Sequence, residues 1–179
     1  MDYSVFFENW IWLGFASVGF AILFNVPVRT VWVIFLLGAL GGTLKLITMQ
    51  LGGGIIIGSF FGAMLVGFLS IYAAHFRHAP PFVFAIPSVI PMVPGAFAYR
   101  MMLGLIRLTN DSTPTVYTQL LDDTVRNGLK AFFVLMVLAL GVSAPMLLTR
   151  RESAKQIRVP KKVGRLVKKV ALKTHSAKN

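Results

Sequence analysis

The 179-residue sequence contains no cysteine, which excludes disulfides, zinc–thiolate sites and iron–sulfur clusters. Charge is almost as scarce. Only 13% of residues are charged and six are acidic, where a soluble domain carries roughly 25% charged residues. The shortage is uneven as well. Eleven of the 18 Lys and Arg fall between Arg150 and Lys178, leaving seven for the first 149 residues. Also missing are paired carboxylates, a nucleophile elbow and a phosphate-cradling glycine loop, so the residues support no enzyme and call for no cofactor. His75 and His78 flank Arg77 at the end of an apolar run, but two histidines without further ligands nearby do not make a metal site.

What is present is apolar surface. The chain is 56% hydrophobic, with a mean hydropathy of +0.73, and seven cations cannot coat a water-facing exterior of that composition. The sequence therefore reads as an all-α, polytopic integral membrane protein. Residues 1–149 form its transmembrane domain and residues 150–179 a basic cytoplasmic tail. The +12 net charge does not point to nucleic acid, because readers of nucleic acid present a basic face on a folded domain. A cationic tail behind the last apolar segment instead suits a cytoplasmic flank against anionic lipid. No Lys or Arg precedes Arg29, whereas a cleavable signal peptide needs a positive leading region. The first apolar segment is expected to stay as a span.

About 20 apolar residues in a helix cross a hydrocarbon core of about 30 Å. Five stretches qualify: Asn9 to Val28, Val31 to Gln50, Ile55 to Ala74, Phe82 to Ile106, and Ala131 to Thr149. Five spans place the two ends on opposite sides. The basic tail, Arg29 and Arg77 mark the inner side, and five of the six acids fall outside, so the N-terminus is expected out and the C-terminus in. Val116 to Lys130 reads as an amphipathic outer helix or as an early start of span five. After Pro160 the tail places Val163, Leu166, Val167 and Val170 on one helical face, which fits a helix on the inner leaflet; a disordered basic tail fits equally.

The fourth stretch is unusual. Pro87, Pro91, Pro94 and Gly95 interrupt it, although a freed peptide group in hydrocarbon costs several kcal/mol. Irregular backbone survives there only when buried in protein or lining a wet cavity, as in transporters whose broken helices hold solutes and ions. Pro91 and Pro94 are expected to stop one half-helix, Gly95 to supply an unusual backbone angle, and Ser88 and Tyr99 to add polar groups. Lys45 lies within span two, where its ammonium faces an aqueous cavity or snorkels to the headgroups. Arg100 lies within span four, and the two cations together suit a carboxylate-bearing solute. Gly38 and Gly42 on span two, and Gly54, Gly58 and Gly62 on span three, recur every fourth residue. That spacing lets helices approach closely, within this chain or against a partner or a second copy.

"SVGFAILFNVPVRTVW", the glycine-rich turn from span two into span three, and "SVIPMVPGAFAYRMM" together resemble the threonine/serine exporter family. More narrowly, the chain resembles the small membrane subunit of its two-component type. The resemblance covers about Phe7 to Arg151 and is similar to the C-terminal half of the single-chain members. It implies a bacterial inner-membrane exporter subunit that works with a larger membrane partner, with succinate or threonine and serine as solutes. The tail beyond Arg151 is longer than the family's usual end. The expected function is thus heteromeric export of small carboxylates, with Lys45, Tyr99, Arg100 and the Pro87–Gly95 break lining the pathway. The alternatives are a scaffold that stabilises a larger partner, and an enzyme embedded in the membrane.

Overall fold

The computed structural model describes the backbone of residues 3–110 and 114–149, and the side chains of residues 7–110 and 117–149. The expected tail helix lies outside the described residues. Those described form helices and turns, with no strand among them.

Helix α1, Tyr3–Leu23, ends five residues earlier than the apolar run predicts. Asn25 takes a left-handed conformation (φ 53°), and Pro27 holds φ −54°, ψ 130° ahead of the next helix. Proline also bars the residue before it from helical geometry, so the chain turns where hydropathy alone sees continuity. Helix α1 has 21 residues, and its part with described side chains, Phe7–Leu23, is apolar throughout most of its length. Helix α2, Val28–Gln50, and helix α3, Gly54–Arg77, are both long and apolar enough to cross. Gly52 and Gly54 make the turn between them at φ 88° and 67°, a region that side-chain-bearing residues seldom enter. His78, at φ 51°, ends α3.

The fourth stretch is broken. Helix α4, Pro81–Val89, passes into a single 3-10 turn, Ile90–Met92, and helix α5, Gly95–Asn110, leaves at a 54° bend. Helix α6, Pro114–Thr149, is one continuous helix of 36 residues, so the amphipathic segment before span five is an early start of that helix. Among the described residues, three helices are long and apolar enough to cross a bilayer, or four if α4 and α5 count together. The expected fifth is α1, whose described apolar part is Phe7–Leu23.

Glycines set the helix spacing. A side chain at Gly38 would overlap Ser17 of α1, and one at Gly42 would strike Leu13. On the other side of α2, a Cβ at Gly62 would lie 2.6 Å from the Gly41 carbonyl oxygen, and one at Gly58 2.8 Å from that of Lys45. Gly67 and Gly141 bring α3 and α6 together in the same way. Close backbone approach of this kind is how helices gain dispersion energy where lipid removes the hydrophobic drive. Gly54 belongs to the turn instead, since a Cβ there meets nothing within 4 Å.

Short α4 sits at the centre. Its Phe84 packs with Ala21, Ile34, Leu37 and Ala74, and its Ala85 and Val89 pack with Met92, Val66 and Val134. Walled by α1, α2, α3 and α6, it supports irregular backbone because protein, not lipid, surrounds it.

Candidate functional site at the helix break

An α-helical carbonyl accepts from the N–H four residues on, and proline has none. Pro87, Pro91 and Pro94 therefore deprive the carbonyls of Val83, Pro87 and Ile90 of their usual partners. The 3-10 turn returns one of them, because Val93 N–H donates to Ile90 at 3.0 Å. Val93 then takes φ −60°, ψ 135°, the extended geometry that a following proline demands. That swing carries the Met92 carbonyl off the helical ladder. Lys45 meets it: its Nζ donates to the Met92 oxygen at 2.9 Å, bridging residues 47 apart in sequence.

Lys45 is placed for this by the glycines. Gly41, one turn earlier on α2, would overlap Val66 if it carried a Cβ, and that Cβ would lie 2.6 Å from the Met92 methyl. A Cβ on Gly62 of α3 would lie 3.3 Å from both the Met92 sulfur and the Lys45 Cβ, so the glycine leaves room for the two. The ammonium thus points inward to the break and does not snorkel. Its level is five residues from Gln50, about 7–8 Å along α2, so the break belongs to the half of the bundle nearer the α2–α3 turn.

The other expected residues divide. Pro87, Ser88 and Pro94 are buried and Pro91 half-buried. Ser88 places its hydroxyl 2.8 Å from the Phe84 carbonyl and 3.3 Å from that of Ile34, which ties α4 to α2. Gly95 does not use a positive φ. It opens α5 with empty space around it, and the change of direction comes from extended Val93 and the tight turn at Pro94 that the Gly95 N–H closes on the Val93 carbonyl at 2.9 Å. Behind it the Pro94 carbonyl accepts from Phe97 and Ala98 at 3.1 and 3.2 Å. The positive end of the α5 dipole, equivalent to roughly half a charge, is therefore presented at the break beside Lys45.

Arg100 is not at the break. It lies about one and a half turns along α5 and, with Arg107, faces Arg126 and Lys130 of α6 across a cleft of about 480 Å³. Tyr99 is 66% exposed and does not line that cleft. Composition singled out Arg100 alone. The signal for the rest was periodic: Arg100 and Arg107 are seven apart, as are Asp123 and Lys130, which puts each pair on one helical face.

The family described as Threonine/Serine exporter, ThrE, matches residues 9–148, a stretch that takes in the break and all of the described helices but the first turns of α1 and the last residue of α6. An uncharacterized protein of Haemophilus influenzae is 28% identical over 137 residues, which are 76% of this chain and 45% of that protein. The chain thus spans less than half the length of this curated relative. No solved structure matches it. The breadth of the family match, over the same helices that enclose the break and Lys45, makes this chain a membrane-embedded member of the threonine/serine exporter ThrE family.

Proposed function

We propose that the chain is one membrane subunit of a heteromeric exporter of small carboxylate metabolites, dicarboxylates such as succinate or the amino acids threonine and serine. The observation that carries this reading is the Lys45 ammonium on the Met92 carbonyl at the break. An ammonium has three donors, and the bond to Met92 uses one. A carboxylate arriving beside the first turn of α5 meets the remaining positive charge and the helix dipole, and it trades places with the carbonyl as partner of Lys45. Pro87, Ser88, Pro91 and Pro94 keep the break rigid, while Gly95 leaves its mouth open.

In this reading α1 is the fifth span, the N-terminus faces the periplasm and the C-terminus the cytoplasm, in a bacterial inner membrane. Arg29, Arg77 and the eleven tail cations outnumber the four cations of the α5–α6 cleft at the other end, as the positive-inside rule requires. A larger membrane subunit of the same family partners this chain, and anionic lipid meets the basic tail. Vesicles carrying both subunits, loaded with labelled succinate or threonine, test the proposal. Lys45→Met is expected to abolish efflux while the two subunits still co-purify. Full efflux from the variant would leave the chain as a scaffold for its partner.

A further inference from the structure

Helix α6 is too long for the membrane alone. Its Gly141 packs on Phe60 and Ala63 of α3. Only six residues separate Phe60 from the start of α3, against 27 between Gly141 and the start of α6. At 1.5 Å per residue, α6 runs roughly 30 Å past the beginning of α3 along its own axis. Helix α5 accompanies it antiparallel. A side chain at Gly104 would overlap Thr124, one at Gly128 would lie 2.9 Å from the Met101 sulfur, and the Lys130 ammonium sits 5.5 Å from the Phe97 ring. The two helices form a hairpin that continues the pathway beyond the break, past the α2–α3 turn.

The cleft of about 480 Å³ lies within this hairpin, lined on its polar side by Arg100 and Arg107 of α5 and Asp123, Arg126, Asn127 and Lys130 of α6. Among the described residues that line it, Asp123 is the one carboxylate. Arg126 also pairs with Asp122 at 3.2 Å on the exposed surface. Four cations thus face two carboxylates, an excess of two positive charges. Elsewhere the same helices present apolar side chains, such as Met102, Ile106, Val125 and Leu129, so the cations are gathered on one side. We infer that this cleft is a binding site for a small dianionic carboxylate, in which Arg100 and Arg107 take one carboxylate group and Lys130 with Arg126 the other. Paired guanidinium forks suit carboxylates in planar, two-bond contacts. A zwitterionic amino acid would meet Asp123 favourably but would set its ammonium among the cations. The site therefore selects two negative charges separated by a short spacer. This rests on the carboxylate reading of the proposed function, yet concerns binding at a place distinct from the break.

Isothermal titration of the full chain in phosphatidylcholine nanodiscs tests it, with succinate, threonine and inorganic phosphate as probes. Succinate is expected to bind at least tenfold tighter than threonine or phosphate. Arg107→Gln with Lys130→Gln should weaken it about tenfold, each charge-assisted bond being discounted for exposure. Arg107→Lys should retain part of the affinity and Asp123→Asn should strengthen it, while Arg29→Gln at the opposite end leaves it unchanged. Nanodiscs containing phosphatidylglycerol show whether an anionic headgroup is the true occupant. Loss of all succinate binding there, equal affinity for phosphate, or indifference to the Arg107 and Lys130 substitutions would each overturn the inference. Efflux that needs Lys45 but ignores the cleft would overturn it and leave the exporter reading standing.

Discussion

Helices α4 and α5 belong to one apolar stretch of sequence, yet they occupy different surroundings. Five of the nine residues of α4 are buried, and in the 3-10 turn that follows it the carbonyls of Ile90 and Met92 are answered by Val93 N–H and by Lys45. Helix α5 buries only Gly104, carries two arginines and borders a polar cleft. The proline cluster separates the two. Without it a single helix would draw Arg100 towards lipid or pull Phe84 out of the core. With it, a half-helix stays inside protein while its continuation departs at 54° as part of a cationic hairpin. A proline-broken span can thus end one environment as well as build a site.

Substitutions can break this comparison or sharpen it. The largest effect is expected at Gly62, whose Cβ would press on the Gly41 backbone oxygen at 2.6 Å. Backbone cannot swing aside as a side chain can, so Gly62→Val should cost about 3 kcal/mol or more. Size-exclusion chromatography should then show loss of folded protein, whereas a variant as stable as the parent would refute the α2–α3 packing. Next comes Lys45→Met, which keeps the length and deletes the donor to Met92. An unanswered buried carbonyl costs about 1–3 kcal/mol, visible as a lower unfolding temperature in detergent, with Lys45→Arg recovering part of it. Ser88→Ala removes one inter-helix hydroxyl contact, and such contacts average about 0.6 kcal/mol in membranes. Anion binding by the cleft should be unaffected, as it should for Lys45→Met. Gly95→Ala is expected to be smallest, within about 0.5 kcal/mol either way, because its Cβ enters empty space at an ordinary helical φ.

The sequence showed the apolar stretches, the site of the break and the odd position of Lys45, because hydropathy, proline chemistry and the cost of a buried ammonium are local properties. It also showed that Gly38, Gly42, Gly58 and Gly62 are spaced for close packing. It did not show what Lys45 touches, since Met92 is 47 residues away and only the assembled bundle joins them. It paired Lys45 with Arg100 because both are cations inside apolar runs, whereas the bend sends Arg100 into the hairpin. Averaging hydropathy across Pro94 hid the change of surroundings there. The end of α1 was missed for a related reason: Asn25 and Pro27 stop a helix without making the run less apolar. Gly95 was expected to supply an unusual backbone angle, but it has no positive φ, and Val93 redirects the chain by its extended geometry.

The absence of native cysteine makes the central claim directly measurable. A single Gly95→Cys substitution, tolerated by the open space around that position, places a thiol at the mouth of the break. In vesicles carrying both subunits it should react with a membrane-impermeant thiol reagent, should be slowed several-fold by saturating solute, and should lose that protection when combined with Lys45→Met. A thiol as unreactive as one placed at Leu140, which is 55% exposed within the apolar part of α6, would contradict a water-reachable break. Labelling that solute leaves unchanged would contradict a solute pathway beside Lys45.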